Sequence, residues 1–229
     1  MSKRIGILGG ISCESTLAYY QLIHTKYYEL KGDYYYPEII IYSLNFQKFT
    51  DFEVRGEKQA YIEYILTGLR ALERAGAEFG LLAANSPHAV FSELEKEIDL
   101  PLLSIVDVTA KHAKVMGLKR LLLLGIRFTM ESHFYQKRCS ELGINVSIPV
   151  RAEREEIDRI IFDELVIGII KESSRQRLLD IINEYEVDGV ILGCTELPLI
   201  LHKGDSKRPF LNTLELHADA ALNYALDIN

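Results

Sequence analysis

The chain has 229 residues, 48% of them hydrophobic, which suits one or two α/β domains with real cores. A net charge of −7, a pI near 5.5 and 26 scattered basic residues with no basic block argue against a nucleic-acid or anionic-membrane surface. No apolar run reaches the length of a membrane span, and the N-terminus runs straight into a strand-like segment, so no signal peptide and a cytoplasmic location are expected.

Along the chain, short apolar runs ending in Gly, Ser or Asn alternate with amphipathic stretches, the pattern of parallel sheets covered by helices. Strands are predicted over residues 4–8, 38–43, 79–83, 102–105, 120–124, 146–148, 189–192 and 210–211. Helices are predicted over 15–30, 55–75, 89–97, 107–116, 129–142, 155–171, 174–184 and 213–226. Most of the strands are continuous Val/Ile/Leu runs, as expected when both faces are buried.

The two halves repeat one design. Lys3-Arg4-Ile5-Gly6-Ile7-Leu8-Gly9-Gly10 is echoed by Lys119-Arg120-Leu121-Leu122-Leu123-Leu124-Gly125-Ile126, and Phe79-Gly80-Leu81-Leu82-Ala83-Ala84-Asn85-Ser86 by Gly189-Val190-Ile191-Leu192-Gly193-Cys194-Thr195-Glu196. Leu100-Pro101-Leu102-Leu103-Ser104 is likewise echoed by Arg208-Pro209-Phe210-Leu211-Asn212. The expected fold is therefore α/β, with two similar Rossmann-like lobes of parallel sheet related by a pseudo-twofold axis and an active site in the cleft between them. The first lobe is assigned residues 1–105 plus 206–229 and the second 106–205, the last helix returning to the first. In this register Cys194 stands opposite Ala84.

Ligands of parallel α/β sheets collect at the carboxyl ends of the strands. Those ends carry Gly9-Gly10-Ile11-Ser12-Cys13, Ser43-Leu44-Asn45, Ala84-Asn85-Ser86, Gly125 with Thr129, and Cys194-Thr195-Glu196. The set is small and polar with few charges, and suits a small anionic ligand held by backbone amides and hydroxyls. Cys194 is the sharpest signal, since a strand-end thiol near helix-terminal N–H groups has a lowered pKa and can act as acid or base. Asn85 and Ser86 could hold a carboxylate, or merely cap the next helix. Gly10 and Ser12 belong to a tight turn through which a carboxylate approaches the backbone. Lys48 follows the Asn45 strand end and is favoured over Arg55 and Arg127 for neutralising a distal carboxylate, against the plainer reading of all three as surface charges. Cys13 reads as a small loop residue, or as a surrogate second thiol. His88, after Pro87, is expected to pack or cap rather than catalyse, and Cys139 to be a bystander on a helix. No His/Cys/Asp/Glu set has metal-ligand spacing, so no metal and no disulfide are expected.

With these residues assembled, the chain resembles the aspartate/glutamate racemase superfamily over essentially its whole length. The carriers are Gly6-Ile7-Leu8-Gly9-Gly10 with Glu14-Ser15-Thr16, Ala84-Asn85-Ser86-Pro87-His88, Gly125 with Thr129-Met130, and Gly193-Cys194-Thr195-Glu196-Leu197. The resemblance implies a cofactor-independent amino-acid racemase, often a homodimer, with aspartate the leading substrate. It implies two cysteines as paired acid and base, but Ala84 stands in place of the first, and Ser86 where Thr is usual. The lysine that some aspartate racemases carry near residues 164–168 has no match, Val166 standing there. Catalysis is thus assigned to Cys194, and substrate binding to Ala84, Asn85, Ser86, Thr195, Glu196, Gly10, Ser12, Asn45, Lys48 and Thr129. The reaction is read as slow or one-directional racemisation by thiol-based α-proton transfer, with Cys13 or a water in the missing position. Two alternatives stay open: a single-cysteine decarboxylase of malonate-like acids, and a catalytically weak dicarboxylate- or amino-acid-binding protein.

Overall fold

A computed structural model of the chain describes residues 2–228. The chain divides into two units, one running up to Ile105 and resuming at Leu214, the other Val106–Thr213. Each unit is built on a four-stranded, wholly parallel sheet.

In the first unit the strands are β1 (Ile5–Gly9), β2 (Ile39–Ser43), β3 (Phe79–Leu82) and β4 (Leu102–Leu103), in the spatial order β2-β1-β3-β4. Register runs Ile5 against Ile39 on one side of β1 and against Phe79 on the other. Helix α1 (Cys13–Lys31) follows β1, α2 (Phe46–Arg55) and α3 (Lys58–Arg74) follow β2, and a 3-10 turn (Ser86–Val90) with α4 (Phe91–Leu94) follows β3. Successive side chains of β1 point to opposite faces. Ile5 and Ile7 meet Tyr19, Ile23 and Tyr27 of α1, and also Ala218, Ala221 and Leu222 of α10 (Thr213–Ala225). Leu8 points the other way, into a second cluster with Ile65, Leu66, Leu69 and Leu72 of α3. The α3 helix lies so close that a Cβ on Gly68 would stand 2.3 Å from Leu8 Cδ1.

The second unit repeats the order. Strands β5 (Arg120–Leu124), β6 (Asn145–Ser147), β7 (Gly189–Leu192) and β8 (Phe210–Asn212) pair as β6-β5-β7-β8. Its helices are α5 (Ile105–Val115), α6 (Arg127–Glu131), α7 (Phe134–Glu141), α8 (Arg151–Asp163) and α9 (Glu172–Glu184), with 3-10 turns at Leu165–Ile167 and Leu197–Leu199. Residues Leu121–Leu124 of β5 and Gly189–Leu192 of β7 are buried throughout, as their unbroken apolar runs require.

Several sequence expectations are corrected. The predicted helix 55–75 begins only at Lys58, and a separate helix, α2, precedes it, because Gly56 adopts φ 66° and closes α2 in the left-handed region. The predicted helix 129–142 is broken into α6 and α7 at His133, whose φ is 59°. The predicted helix 89–97 is a 3-10 turn and a four-residue helix, and that over 155–171 is already over at Asp163. The second crossing between units lies at Thr213/Leu214 rather than 205/206, since Phe210–Asn212 pairs with β7 and belongs to the second sheet.

Leu69 is fully buried in the α3 cluster, whereas Val115 at the end of α5 is 87% exposed. Leu69→Ala should therefore lower stability by about 2–5 kcal/mol through lost transfer energy and a residual cavity. Val115→Ala should change it by less than about 0.5 kcal/mol. Denaturant midpoints of the two variants check both.

Candidate functional site

Parallel pairing brings the carboxyl ends of all four strands in each unit to one edge of its sheet. In the first unit, Gly10 follows β1 at φ 78°, and a Cβ there would lie 2.3 Å from the Leu44 carbonyl oxygen, so only glycine fits. Its amide donates to Thr16 Oγ1 at 2.8 Å. Gly10 thus makes the chain reversal instead of offering an open amide to a ligand, a correction to the sequence reading. Ser12 is the N-cap of α1, its hydroxyl accepting from the Ser15 amide at 3.2 Å. The Ser15 hydroxyl in turn donates to the Ala83 carbonyl at 2.5 Å, tying the end of β3 to the start of α1. Cys13 is not a loop residue but the first residue of α1, with its side chain exposed.

At the end of β2, Asn45 caps α2, its Oδ1 accepting from the Lys48 amide at 3.0 Å. The exposed Lys48 ammonium sits 4.5 Å from the centre of the Tyr64 ring, held there by the ring's quadrupole. At the end of β3, Ala84, Asn85, Ser86 and His88 are all buried. Ala84 belongs to the apolar cluster with Leu8, Ile11, Leu44 and Phe49. Ser86 shares hydrogen bonds with Glu53 and Tyr61, two residues the sequence reading did not single out.

His88 packs, as the sequence suggested. Its Nε2 accepts from the Ile105 amide at 3.2 Å, and its ring stacks on Phe91 with centroids 4.9 Å apart. His217 lies 6.3 Å from it, taking Tyr19 Oη at 2.8 Å on Nδ1 and facing the Leu103 carbonyl at 3.0 Å through Nε2. Burial, and then the neighbouring His217, push His88 down to about 3, and burial pushes His217 down to about 4. Both rings are therefore neutral at physiological pH.

In the second unit the ends of β5 and β7 approach as closely as backbone allows. The Gly193 amide donates to the Leu124 carbonyl at 2.7 Å, and a Cβ on Gly125 would lie 2.9 Å from the Gly193 carbonyl oxygen. Thr129, on α6, is 1% exposed, and its hydroxyl has no hydrogen-bond partner among the described residues. Arg127 is exposed, and its amide is held by Asp158 Oδ1 at 2.7 Å, which caps α6. Beyond β7 the half-buried Cys194 thiol donates to Glu196 Oε2 at 2.9 Å, and the Thr195 hydroxyl donates to the same oxygen at 2.9 Å. Burial, then the Glu196 carboxylate, push this thiol well above the usual range, and Asp158 adds to the rise. The sequence reading expected a lowered pKa; desolvation, reinforced by a carboxylate two residues away, reverses the sign. Cys139 is fully buried on α7 and raised to about 11 by desolvation, a packing residue. Among the described residues no group of three or more His, Cys, Asp or Glu could hold a metal ion, and no helix is long and apolar enough to cross a membrane.

The chain matches the Asp/Glu/Hydantoin racemase family over residues 8–221. The chain belongs to that family. The structure is similar to that of an aspartate racemase homologue from Pyrococcus horikoshii OT3, at 39% identity and a TM-score of 0.85, over 99% of this chain and 100% of that one. It shares its fold with the Picrophilus torridus aspartate racemase, at 24% identity and a TM-score of 0.81 over 97% and 94% of the two chains. In sequence it is 26% identical over 220 residues to the broad specificity amino-acid racemase RacX of Bacillus subtilis (strain 168), covering 91% of this chain and 92% of that protein. The enzyme is thus an isomerase of the amino-acid racemase class.

The two buried histidines generate a stability prediction. Their folded pKa values lie below the ordinary 6.5, so the unfolded chain binds more protons between pH 6.5 and 4. Their contribution is complete above pH 6.5 and is lost as pH falls, by up to about 1.4 kcal/mol per pH unit for each histidine. Equilibrium unfolding at pH 6.5 to 5, above the carboxylate range, should show this slope, and His217→Gln should flatten it.

Proposed function

We propose that the enzyme interconverts the enantiomers of a small acidic amino acid, aspartate first, with Cys194 taking and returning the α-proton and no cofactor in the reaction. The observation that carries this reading is the Cys194–Glu196 hydrogen bond at the end of β7. The aspartate racemase homologue and the broad specificity racemase among its relatives support the substrate class.

Removing an α-proton without an electron sink demands a base and donors aimed at the carboxylate as it becomes enediolate-like. At rest the Cys194 thiol is protonated, because burial and Glu196 both oppose the thiolate. Glu196 is the natural acceptor for that proton, and Cys194 as thiolate then takes the α-proton. The unpartnered Thr129 hydroxyl, Thr195, Asn85 and backbone amides serve as carboxylate donors in this reading. Ala84 carries no exchangeable proton, so the face that a second thiol would serve depends on another donor, and conversion is expected to be slow or biased in direction.

The test is α-deuteration of L- and D-aspartate in D2O. Cys194→Ala should reduce exchange by about 100- to 10,000-fold, the span of a positioned acid–base group, and Glu196→Gln should reduce kcat more than it raises KM. Cys139→Ser should leave the rate unchanged. Near-normal exchange in Cys194→Ala overturns the assignment. CO2 release from malonate-like acids, with no deuteration of aspartate, would establish the decarboxylase instead.

A further inference from the structure

Helix α8 carries most of its charged side chains in ion pairs. Arg151 pairs with Glu155 at 2.9 Å, Arg154 with Glu131 at 3.0 Å, Glu156 with Arg177 at 2.9 Å, and Arg159 with Glu164 at 3.5 Å. Half-buried Asp158 stands among them without a cation. Its Oδ1 accepts from the Arg127 amide at 2.7 Å. Among the described residues its Oδ2 has no hydrogen bond, and no Lys or Arg pairs with it.

The strand ends of the second unit set where this carboxylate lies. Strands β5 and β7 run level, Leu124 against Leu192, and the Gly193 amide still donates to the Leu124 carbonyl beyond them. Neighbouring strands are about 4.8 Å apart, so the turn carrying Arg127 runs beside the turn carrying Cys194. Asp158, held on the Arg127 amide, is therefore at the same edge as Cys194, and its charge reaches that thiol. The same edge holds the Thr129 hydroxyl, buried and without a hydrogen-bond partner among the described residues, which points to a ligand there.

Holding the Arg127 amide does not require a charge, since a neutral Asn caps a helix as well as Asp does. Beside Cys194 the charge even works against proton abstraction, because it opposes the thiolate. It has a use once a cation completes it. An α-amino acid brings that cation on the very carbon whose proton is moved.

We propose that Asp158 binds the α-ammonium of the substrate through Oδ2, and so selects amino acids over dicarboxylic acids that lack an ammonium. The inference rests on the racemase reading above. Asp158 stays a carboxylate and the nitrogen keeps its protons throughout, so no bond to either is made or broken. A nitrogen held protonated withdraws electrons from the α-carbon and makes its C–H bond more acidic. The bound cation also offsets the charge of Asp158 at Cys194, so the thiolate forms more readily with substrate in place than without it.

The experiment compares L-aspartate with succinate, which keeps both carboxylates and lacks only the ammonium. Isothermal titration gives the affinities and α-deuteration in D2O the kinetics, for wild type, Asp158→Asn and Asp158→Glu. Wild type should bind aspartate at least about tenfold more tightly than succinate. Asp158→Asn keeps an acceptor for the Arg127 amide and removes only the charge. It should lower kcat/KM for aspartate about 10- to 100-fold, the span of a charge-assisted hydrogen bond, and leave succinate binding unchanged or tighter. Asp158→Glu should recover part of the preference for aspartate. Equal losses for aspartate and succinate in Asp158→Asn would mark a structural cap and overturn the proposal. Wild-type kcat/KM in Asp158→Asn, or succinate bound by wild type as tightly as aspartate, would overturn it too. If thermal unfolding shows Asp158→Asn unfolded at the assay temperature, Asp158→Glu decides: the aspartate preference kept supports the proposal, and the preference lost overturns it. All of these outcomes bear on Asp158 alone. Deuteration undiminished in Cys194→Ala instead overturns the racemase reading beneath it.

Discussion

A parallel strand pair cannot be closed by a hairpin, so each of its pairings requires a crossover long enough to carry a helix and returns the chain with unchanged polarity. Among the described residues the chain makes six such pairings, three in each sheet, and no antiparallel ones. From that constraint follow the helical cover on both faces of the first sheet and the gathering of every strand's carboxyl end along one edge. Polar groups collect at that edge because it is where strand backbone runs out of partners and helix N-termini begin. Ser12 and Asn45 show the consequence directly. Both were read as ligand contacts, and both spend their side chains capping the helix that the crossover starts.

The strands were legible because they are buried on both faces and therefore written as unbroken apolar runs; β5 and β7 match their predicted limits residue for residue. Helix α2 was missed because its apolar residues, Phe46, Phe49, Phe52 and Val54, cover less than half of a short segment whose ends are marked only by Asn45 and Gly56. Those two marks are standard helix punctuation and would have sufficed. The break at His133 has no such punctuation, since a histidine fits the interior of a helix as readily as the positive φ of 59° it adopts here. The crossing at residue 213 was also readable, because the echo of residues 100–104 in 208–212 already placed the latter in a sheet.

The candidate site was legible in its residue types and not in its charge states. Cys194, Thr195 and Glu196 were identified, but nothing in their order tells that Glu196 turns back onto the thiol. Glu53 and Tyr61 were invisible for a different reason. They lie on helices remote in sequence from Ser86, and only the packing of α2 and α3 against the end of β3 brings them together. The internal repeat does extend to buried polar contacts. In the first unit Tyr19 of α1 bonds His217 of α10, and in the second Tyr135 of α7 bonds Thr109 of α5. In each case a helix between the first two strands of a sheet meets the helix that follows the fourth strand of the other sheet, so a tyrosine anchors α10 in the first unit and α5 in the second.

Against that shared frame the two units diverge at their third strands. After β7 the chain carries a thiol beside a carboxylate that repels its anion; after β3 it carries an alanine within an apolar cluster, and a carboxyl nearby that burial keeps protonated more readily than usual. Both ends thus disfavour negative charge at rest, by desolvation in each case. The same desolvation strengthens a base once it has lost its proton, since no water shell must be stripped from it first, and it favours return of the proton to carbon. A weak carbon acid such as an amino acid needs a strong base and a ready acid together. In the first unit the large apolar clusters of Leu, Ile and Tyr behind the strand ends offset what such burial costs the folded state.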